Sequence, residues 1–281
     1  MNILYCGDKN IERGLLMSVL SLIDNVDEPL NVYVLTLNVG YKRRTFLPVS
    51  DEAVSYVDSL LRKQHEESFC VKIDMTQRFN RIIPEANMST RFTPCCMLRL
   101  YADEINELPA RILYLDNDVI CRGDFKEFYY QDMENTEVAG VLDYYGRWFF
   151  KRNPFKMDYL NSGVLLMNLK EIKKTGLFRK CRKRCETKKM FMPDQSAINK
   201  LTISKKICER KYNEQRKLHD NTVFQHFTTS FRFFPWIHTI TVKPWDISRV
   251  HEILKLHEYD DLFERYEQHL QYLNAPKQEE V

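Results

Sequence analysis

Apolar and polar positions along the first half of the chain form two alternating patterns. Short apolar runs, typical of strands, occur at NILYC (2–6), NVYVLTL (31–37), FCVKI (69–73) and RILYL (111–115). Apolar residues at helical spacing predict helices over 15–23 and 53–61, with Ser50 or Asp51 capping the second, and over 95–105, ending before Pro109. Strands separated by helices predict an α/β fold with one mixed, mostly parallel sheet, and such sheets bind ligands at the carboxyl ends of their strands.

The second half of the chain has a more mixed pattern. EVAGVLD (137–143) and SGVLLMNL (162–169) are strand-like, whereas 169–185 and 194–201 have helical spacing. The aromatic-rich stretch 203–245 shows no regular period, and 248–273 predicts one or two closing helices. No repeat, low-complexity linker or change of composition divides the chain. We therefore expect one domain over 1–247 and a helical segment over 248–281 packed on it.

Composition and charge narrow the class of protein. Of the 281 residues, 44% are hydrophobic and 12% are aromatic, which indicates an ordered globular core. The net charge of +3 is small against 42 basic and 39 acidic side chains, so nucleic acid is not expected as a partner. Basic runs at 178–189 and 205–217 are expected to be solvated surface, with anionic lipid or a polyanionic acceptor as the alternative.

The cysteines and the apolar runs indicate in which cellular compartment the protein is expected. Eight cysteines are scattered without a CxxC motif, which favours reduced thiols over a disulfide framework or a zinc site. The opening MNILYCGD lacks the basic and long apolar regions of a secretory signal, and no later run is long enough to span a bilayer. These features predict a soluble, cytoplasmic protein, and contact of the final helices with a membrane surface is not indicated.

The strand-like run RILYL ends on two acids, Asp116 and Asp118, separated by Asn117. Carboxylates this close repel each other, and one Mg²⁺ or Mn²⁺ ion would neutralise the repulsion, because these ions prefer oxygen ligands. Such a cation would also bridge to a diphosphate and stabilise charge on a departing phosphate oxygen. The alternative is an ordinary polar turn, but the apolar run before the acids favours the metal site.

Other polar residues lie next to predicted strands. In YCGDKN, Gly7 allows a tight turn or the close approach of a ligand, and Asp8 and Asn10 supply polar groups. An ordinary strand-to-helix turn explains these three residues equally well. Asn161 and Ser162 precede a strand and fit either a turn or a reader of sugar hydroxyls.

Four further polar residues occur in the last third of the chain. After Pro193, Asp194 fits the role of a helix cap, whereas Gln195 has no evident structural role. His226 stands alone in sequence, which is more typical of a packed histidine than of a metal ligand. Lys243 precedes a proline and is suited to presenting its ammonium to phosphate, but taken alone it is a surface lysine.

Together and in this order, these blocks resemble the family 8 glycosyltransferases, retaining enzymes with the GT-A fold, of the bacterial lipopolysaccharide galactosyltransferase and glycogenin type. The matching blocks are ILYCGDKN, LYLDND, LNSGVLLMNL, the DQ pair, and the late histidine and KPW, between residues 2 and 245. The resemblance implies a UDP-sugar donor and Mn²⁺, with Mg²⁺ as the alternative ion. It also implies a glycan, lipid-linked or protein acceptor.

The resemblance implies a role for each residue at a matching position. Asp116, Asp118 and His226 would bind the cation, Asn161 would read the donor sugar, and the polar residues of YCGDKN would contact uridine. The full set expected to bind the nucleotide sugar consists of Cys6, Gly7, Asp8, Asn10, Arg99, Asp116, Asn117, Asp118, Asn161, Ser162, Asp194, Gln195, His226 and Lys243.

The mechanism that the resemblance implies is electrostatic. Arg99, Lys243 and the cation would hold the diphosphate and stabilise UDP as it leaves. The acceptor hydroxyl would attack on the same face of the sugar, while Gln195 steadies the far face of the anomeric carbon. The alternative is a double displacement, which needs a carboxylate on the far face, either Asp143 or Asp194.

The last block departs from the family pattern. Residues 227–242 stand between His226 and Lys243, where the family has a short glycine-containing loop, and Thr229 occupies the expected glycine position. We expect this insertion to form an aromatic acceptor shelf or a lid.

Two other functions fit the sequence less well. In a haloacid-dehalogenase-type phosphohydrolase, Asp116 would be the nucleophile and Asp118 the acid/base. That enzyme needs a later strand ending in paired acids, and the late pair at 260–261 lies in a helical pattern. The other function is an inactive or self-glycosylating nucleotide-sugar binder, which the 15 tyrosines permit but do not support.

Overall fold

The structure is a computed structural model that describes residues 1–90, 94–146, 158–232 and 238–273. The described strands are β1 (Asn2–Cys6), β2 (Asn31–Thr36), β3 (Val39–Tyr41), β4 (Arg44–Phe46), β5 (Phe69–Asp74), β6 (Arg111–Leu115), β7 (Val119–Cys121), β8 (Val138–Leu142), β9 (Leu160–Asn168), β10 (Lys205–Ile207), β11 (Phe224–His226), β12 (Ser230–Arg232) and β13 (His238–Ile240).

Seven of these strands form the central sheet, in the order β10-β8-β9-β6-β1-β2-β5. Neighbouring strands are parallel except at β9, which runs antiparallel to both β6 and β8. The predicted mixed, mostly parallel sheet is confirmed. The reversal of β9 places its amino end at the same edge of the sheet as the carboxyl ends of β6 and β8.

Helices flank this sheet. The described α-helices are α1 (Glu12–Asn25), α2 (Asp51–Gln64), α3 (Thr76–Arg81), α4 (Lys126–Tyr130), α5 (Leu169–Thr175), α6 (Leu177–Thr187), α7 (Pro193–Leu201), α8 (Ile247–Arg249), which a π-turn extends over Val250–Leu254, and α9 (Asp260–Leu273). Ser50, rather than Asp51, caps α2, because its Oγ accepts a hydrogen bond from the Ala53 N–H at 3.2 Å.

Three sequence predictions of secondary structure were wrong in detail. The helix predicted over 95–105 is a 3₁₀-helix, Pro94–Glu104, in which residues three apart are aligned and Arg99 Nε donates to the Cys96 carbonyl at 3.0 Å. The helix predicted over 169–185 is divided at Gly176, whose φ of 68° ends α5 in the left-handed region. The stretch 203–245, predicted to be irregular, contains the short strands β10 to β13.

Apolar side chains cover both faces of the sheet. Along β1, Leu4 belongs to one buried cluster, while Ile3 and Tyr5 belong to the cluster on the opposite face. A third cluster joins residues 16, 17 and 20 of α1 to residues 262, 263 and 266 of α9. The closing helix therefore packs on the same body as the sheet, and a boundary at 247 remains a prediction.

Parts of two predicted features lie outside the described residues. Within the insertion at 227–242, β12 and β13 pair antiparallel, and residues 233–237 between them are outside the description. The acceptor shelf or lid stays a prediction. The C-terminal segment is described as far as residue 273. Over the described ranges, no helix has the length and apolar character needed to cross a bilayer.

Candidate active site

The acids that follow β6 meet a histidine from β11. β11 pairs antiparallel with β7, with His226 opposite Val119, the residue directly after Asp118. In addition, the Phe227 N–H donates to the backbone carbonyl of Asp118 at 3.0 Å. This short ladder, which no sequence pattern predicted, brings residues more than a hundred positions apart to one place.

Asp116, Asp118 and His226 direct ligand atoms to one point. His226 Nε2 lies 3.2 Å from Asp118 Oδ1 and 3.5 Å from Asp116 Oδ2, and one ligand atom from each residue lies within 4.8 Å of the other two. His226 Nδ1 faces the Asn213 Oδ1 at 3.2 Å, so Nε2 is the nitrogen available to a cation. Two carboxylates and an imidazole therefore fit a divalent ion such as Mn²⁺.

Gly163, in the middle of the LNSGVLLMNL block, makes this convergence sterically feasible. A Cβ atom at this position would lie 2.6 Å from His226 Nδ1 and 2.8 Å from Asp116 Oδ2, closer than real Cβ atoms come to other atoms. The Asp116 N–H also donates to the Gly163 carbonyl at 2.8 Å. The three candidate ligands thus lie against a residue that has no room for a side chain.

Arg99 lies behind the acids, 3% exposed. Its Nη2 donates to Asp116 Oδ1 at 2.9 Å, its Nη1 donates to the Ser162 carbonyl at 2.6 Å, and its Nε lies 3.3 Å from Asp194 Oδ2. The guanidinium stacks over the Tyr114 ring, 3.7 Å from its centroid. Burial opposes the charge, but these neighbours outweigh it and raise the pKa of Arg99, so the guanidinium stays cationic.

Lys243 supplies a second positively charged side chain, on the side of the site that is open to solvent. Its Nζ forms an ion pair with Asp118 Oδ2 and donates to the Phe227 carbonyl at 3.3 Å. Burial alone would raise the pKa of Asp118, but Lys243 and His226 outweigh burial and hold that pKa below its usual range. Asp118 is therefore a carboxylate at neutral pH. The Lys243 side chain is 34% exposed, so a ligand in solvent can reach it.

A chain of hydrogen bonds joins β8, β9 and α7 beside the Asp116, Asp118 and His226 group. Asp143 Oδ2 accepts from Asn161 Nδ2 at 2.9 Å and from Gln195 Nε2 at 3.1 Å. Gln195 Oε1 accepts from the Ser162 N–H at 2.9 Å, and Ser162 Oγ donates to Asp194 Oδ2 at 3.3 Å. Gln195 therefore has a structural role that the sequence did not reveal.

Asp194 is not the cap of α7, contrary to the sequence prediction. The residue at the cap position is Met192, Pro193 occupies the first turn, and no side chain of the described residues caps the helix. Asp194 is 4% exposed and turns its carboxylate towards Arg99 and Ser162. The buried guanidinium needs an anionic partner inside the protein, and this requirement outweighs an exposed capping role.

The predicted contacts at the end of β1 form a separate part of the site. Asp8 Oδ1 accepts from the Asn10 N–H at 3.0 Å. Asp8 is 3% exposed, and among the described residues its buried Oδ2 has no hydrogen-bond partner. Gly7 allows the Ile11 side chain to pack where a Cβ would otherwise lie. Cys6 as a residue keeps some exposure, but its thiol is enclosed, and this burial raises the pKa of the thiol.

Asn117 lies between the two acids and faces α1. A Cβ on Gly14 would clash with the main-chain oxygen and the side-chain amide nitrogen of Asn117, and also with the Trp245 ring. A glycine on α1 thus lets the acid-bearing turn and the KPW block approach the helix. Most of the other predicted site residues converge: Arg99, Asp116, Asp118, Asp143, Asn161, Ser162, Asp194, Gln195, His226 and Lys243.

The late acid pair at 260–261 does not follow a strand, as a phosphohydrolase would require, but lies in the first turn of a helix. Asp260 begins α9, and its carboxylate lies 2.7 Å from His251 Nε2 and 3.4 Å from His257 Nδ1. The two imidazole rings are stacked with an interplanar angle of 15° and centroids 4.6 Å apart. The three residues place ligand atoms within 4.8 Å of one another on the surface, and exposed groups of this kind are common without a bound ion.

Two residues of the site were missed at the level of sequence. Asn213 bonds to His226, and the Tyr114 hydroxyl donates to Asp116 Oδ1 at 2.6 Å. Tyr114 precedes the acids by two positions on β6, so strand alternation could have placed it on the same side as Asp116. Asn213 carries no comparable signal, because only the tertiary fold brings it to His226.

Comparison with solved structures identifies the architecture. The galactosyltransferase LgtC, solved with donor and acceptor sugar analogues, superimposes with a TM-score of 0.65 at 17% identity, over 99% of this chain and 98% of that chain. GlyE of Streptococcus pneumoniae superimposes with a TM-score of 0.61 at 17% identity, over 100% of this chain and 66% of that chain. The fold is the GT-A fold of sugar-transferring enzymes.

Sequence comparison then identifies the family. The profile of glycosyl transferase family 8 matches residues 2–248, so the chain belongs to this family and is a glycosyltransferase. Lipopolysaccharide 1,2-glucosyltransferase of Escherichia coli is 23% identical over 93% of this chain and 84% of its own length. Lipopolysaccharide 1,3-galactosyltransferase of Salmonella typhimurium is 24% identical over 77% of this chain and 64% of its own length.

Proposed function

We propose that the chain is a retaining glycosyltransferase that moves glucose or galactose from a UDP-sugar to a hydroxyl group of a glycan, lipid-linked or protein acceptor. It would use Mn²⁺, with Mg²⁺ as the alternative. The observation that carries this proposal is the convergence of Asp116, Asp118 and His226 at the sheet edge. The relatives named as lipopolysaccharide glucosyl- and galactosyltransferases support the choice of a hexose and of a glycan acceptor.

Asp116, Asp118 and His226 would hold the cation, and the two basic side chains would have different roles. A bound divalent ion would neutralise charge that develops on the leaving diphosphate. Lys243 is partly exposed beside Asp118, which suits direct contact with a phosphate oxygen. Arg99 is almost wholly buried and its nitrogens bond to protein oxygens, so we assign it the role of positioning Asp116.

Asp8 is suited to reading the base. Its unpartnered, buried Oδ2 needs a hydrogen-bond donor, and an N–H group of a pyrimidine ring would satisfy it. Since the carboxyl ends of neighbouring parallel strands meet at one edge of the sheet, a nucleotide there would reach from β1 towards the acids after β6. Asn161 and Ser162, at the amino end of β9, lie on the sugar side of that path.

The same-face route is the mechanism that the carboxylate environments support. Asp143 accepts from Asn161 and Gln195 at one oxygen and from the Tyr145 N–H at the other, at 3.1 Å. Asp194 is engaged by Arg99 and Ser162. A carboxylate whose lone pairs are used in this way is a poor nucleophile. The acceptor hydroxyl would therefore attack on the face of the departing UDP, with a leaving phosphate oxygen as the base.

The deciding experiment measures UDP release from a panel of UDP-sugars. Assays would contain Mn²⁺ or EDTA, and would compare wild type with Asp118→Ala and with Asp27→Ala, an exposed acid away from the site. We expect release from one UDP-hexose that needs Mn²⁺ and is lost in Asp118→Ala but not in Asp27→Ala. Release that persists in EDTA, or in Asp118→Ala, would refute the cation site.

The same preparations test the two rival functions. Hydrolysis of a phosphomonoester under these conditions would favour the phosphohydrolase. A gain of hexose mass on the intact protein after incubation with donor would indicate self-glycosylation. Gln195→Ala is expected to slow transfer while UDP still binds, because its partners Asp143 and Ser162 belong to the sugar side of the site.

A further inference from the structure

Asn213 lies at the centre of the site without being part of any predicted motif. It follows the 3₁₀-turn Arg210–Tyr212 and is completely buried. Its N–H donates to the Arg210 carbonyl at 2.9 Å, and the next residue is held against β11 by hydrogen bonds to Phe224 and His226 of 2.8 and 2.9 Å. The backbone that carries Asn213 is therefore fixed relative to the strand that carries His226.

Both ends of the Asn213 side chain bond to site residues. Its Nδ2 donates to Asn161 Oδ1 at 2.9 Å, and its Oδ1 lies 3.2 Å from His226 Nδ1. Asn161 Oδ1 also accepts from the Gly163 N–H at 2.9 Å. The buried carboxamide thus joins the residue that would bind the cation to the residue that would read the donor sugar.

A main-chain donor fixes the direction of every hydrogen bond in this chain. The Gly163 N–H can only donate, so the Asn161 atom that accepts from it is the oxygen, and Asn161 turns its NH₂ to Asp143 and its oxygen to Asn213. Asn213 must then turn its own NH₂ to Asn161 and its oxygen to His226. An oxygen can only accept, so His226 Nδ1 carries a hydrogen, and the ring nitrogen left to bind a cation is Nε2, which faces Asp116 and Asp118.

We propose that Asn213 is a positioning residue with two functions. Its oxygen holds His226 in the tautomer and rotation that present Nε2 to a divalent cation, and its NH₂ holds Asn161 in the orientation that serves the donor sugar. The inference rests on the proposed function of the Asp116, Asp118 and His226 group as a cation site. Loss of a hydrogen-bond partner of this kind behind a metal-binding histidine typically lowers metal affinity about 10–100-fold.

Two substitutions separate the functions. Asn213→Ala removes both bonds. Asn213→Asp keeps an acceptor for His226 Nδ1 but removes the NH₂ that bonds to Asn161. The measurement is the affinity of the cation-free protein for Mn²⁺ alone, from electron paramagnetic resonance of the free ion, followed by the affinity for a UDP-hexose at saturating Mn²⁺.

We expect Asn213→Ala to bind Mn²⁺ about 10–100-fold more weakly than wild type, and Asn213→Asp to bind it at least as tightly as wild type. Both variants should bind the UDP-hexose more weakly. Asn87→Ala is the matched control, because Asn87 is also completely buried and bonds to the main chain at Cys185 and Lys188, away from the site. It should lower the melting temperature in EDTA and leave the Mn²⁺ affinity unchanged.

Asp118→Asn distinguishes failure of this inference from failure of the proposed function. If wild type binds Mn²⁺ no more tightly than Asp118→Asn, the cation site itself is refuted. If Asp118→Asn weakens binding while Asn213→Ala does not, the cation site stands and the role of Asn213 is overturned. Equal loss of Mn²⁺ affinity in Asn213→Ala and Asn213→Asp would also overturn it, since only the acceptor bond should matter for the ion.

Discussion

Removal of the Arg99 charge tests whether the site is built around a buried ion-pair network. Arg99→Met keeps much of the side-chain volume but removes the guanidinium, leaving Asp194, whose side chain is 6% exposed, without its cation. It also removes the donors to the Ser162 carbonyl and to Asp116. Asp116 is 29% exposed, so water can replace part of its loss, whereas Asp194 has no such compensation.

The expected cost follows from that difference in burial. Loss of one partner from a buried pair destabilises a protein by about 3–5 kcal/mol, because the other charge stays buried and uncompensated. For a domain of this size each kcal/mol lowers the melting temperature by about 2–4 °C, so we expect a fall of about 6–20 °C. Urea unfolding in EDTA measures the free energy directly, without a contribution from bound cation.

Arg62→Met is the matched control for Arg99→Met. Arg62 is 53% exposed and pairs with Asp58 at 2.8 Å, four residues away on α2. An exposed pair of this kind contributes about 0–1 kcal/mol. If Arg99→Met destabilises the protein by no more than Arg62→Met, the buried network does not stabilise the fold and the reasoning is refuted. Arg99→Lys should recover only part of the loss, because an ammonium lacks the planar fork.

Three further predictions concern glycine and cysteine positions. Gly163→Ala should lower Mn²⁺ affinity by at least about tenfold in a calorimetric titration, because a Cβ would displace His226 or Asp116. Gly176→Ala should lower the free energy of unfolding by about 1–2 kcal/mol in urea, because its φ of 68° is unfavourable for a residue with a Cβ. Burial raises the pKa of the Cys70 thiol from 9.0 to about 12. The unfolded thiol therefore ionises first, and Cys70 costs about 1.4 kcal/mol of stability per pH unit between these values.

Each of these three predictions can be checked against a control variant or a second pH. Gly40→Ala should leave the Mn²⁺ affinity unchanged, because no described residue has an atom within 4 Å of a Cβ at that position. Gly40→Ala also serves as the control for Gly176→Ala, which should have the lower urea midpoint of the two. For the thiol, stability is full below pH 9 and falls as the pH rises towards 12. Cys70→Ala should therefore lose about 1.4 kcal/mol less than wild type between pH 8 and pH 10, and equal losses would exclude the effect.

The strands and the position of the two acids after one of them were predictable because their signals are local. Mostly apolar segments of five to seven residues identified β1, β2, β5 and β6, and the acids at 116 and 118 follow one of these segments. His226 had no local signal, and its assignment depended on family resemblance. The direction of β9 was also hidden, because a strand buried on both faces has the same apolar sequence in either direction.

The errors occurred where distant partners decide the structure. Asp194 has the local sequence of a helix cap, but the buried charge of Arg99, 95 positions earlier in the chain, draws its carboxylate inward. Gln195 and Asn213 bond to residues between 13 and 52 positions away, and a carboxamide gives no sign in the sequence of which partners it will meet. Contacts between elements, rather than the elements themselves, are what the sequence could not predict.

The reversed strand β9 explains how one short segment serves the whole site. At its amino end, Asn161 bonds to Asp143 and Asn213, Ser162 bonds to Gln195, and Gly163 leaves room for His226 and Asp116. β9 has nine residues, so its two ends are about 27 Å apart at the usual rise of a strand. Had β9 run parallel to β6, the segment 161–163 would lie at the opposite edge of the sheet, that distance from the acids. The antiparallel strand is therefore a requirement of the site, since it brings the residues that would read the sugar to the edge where the cation would bind.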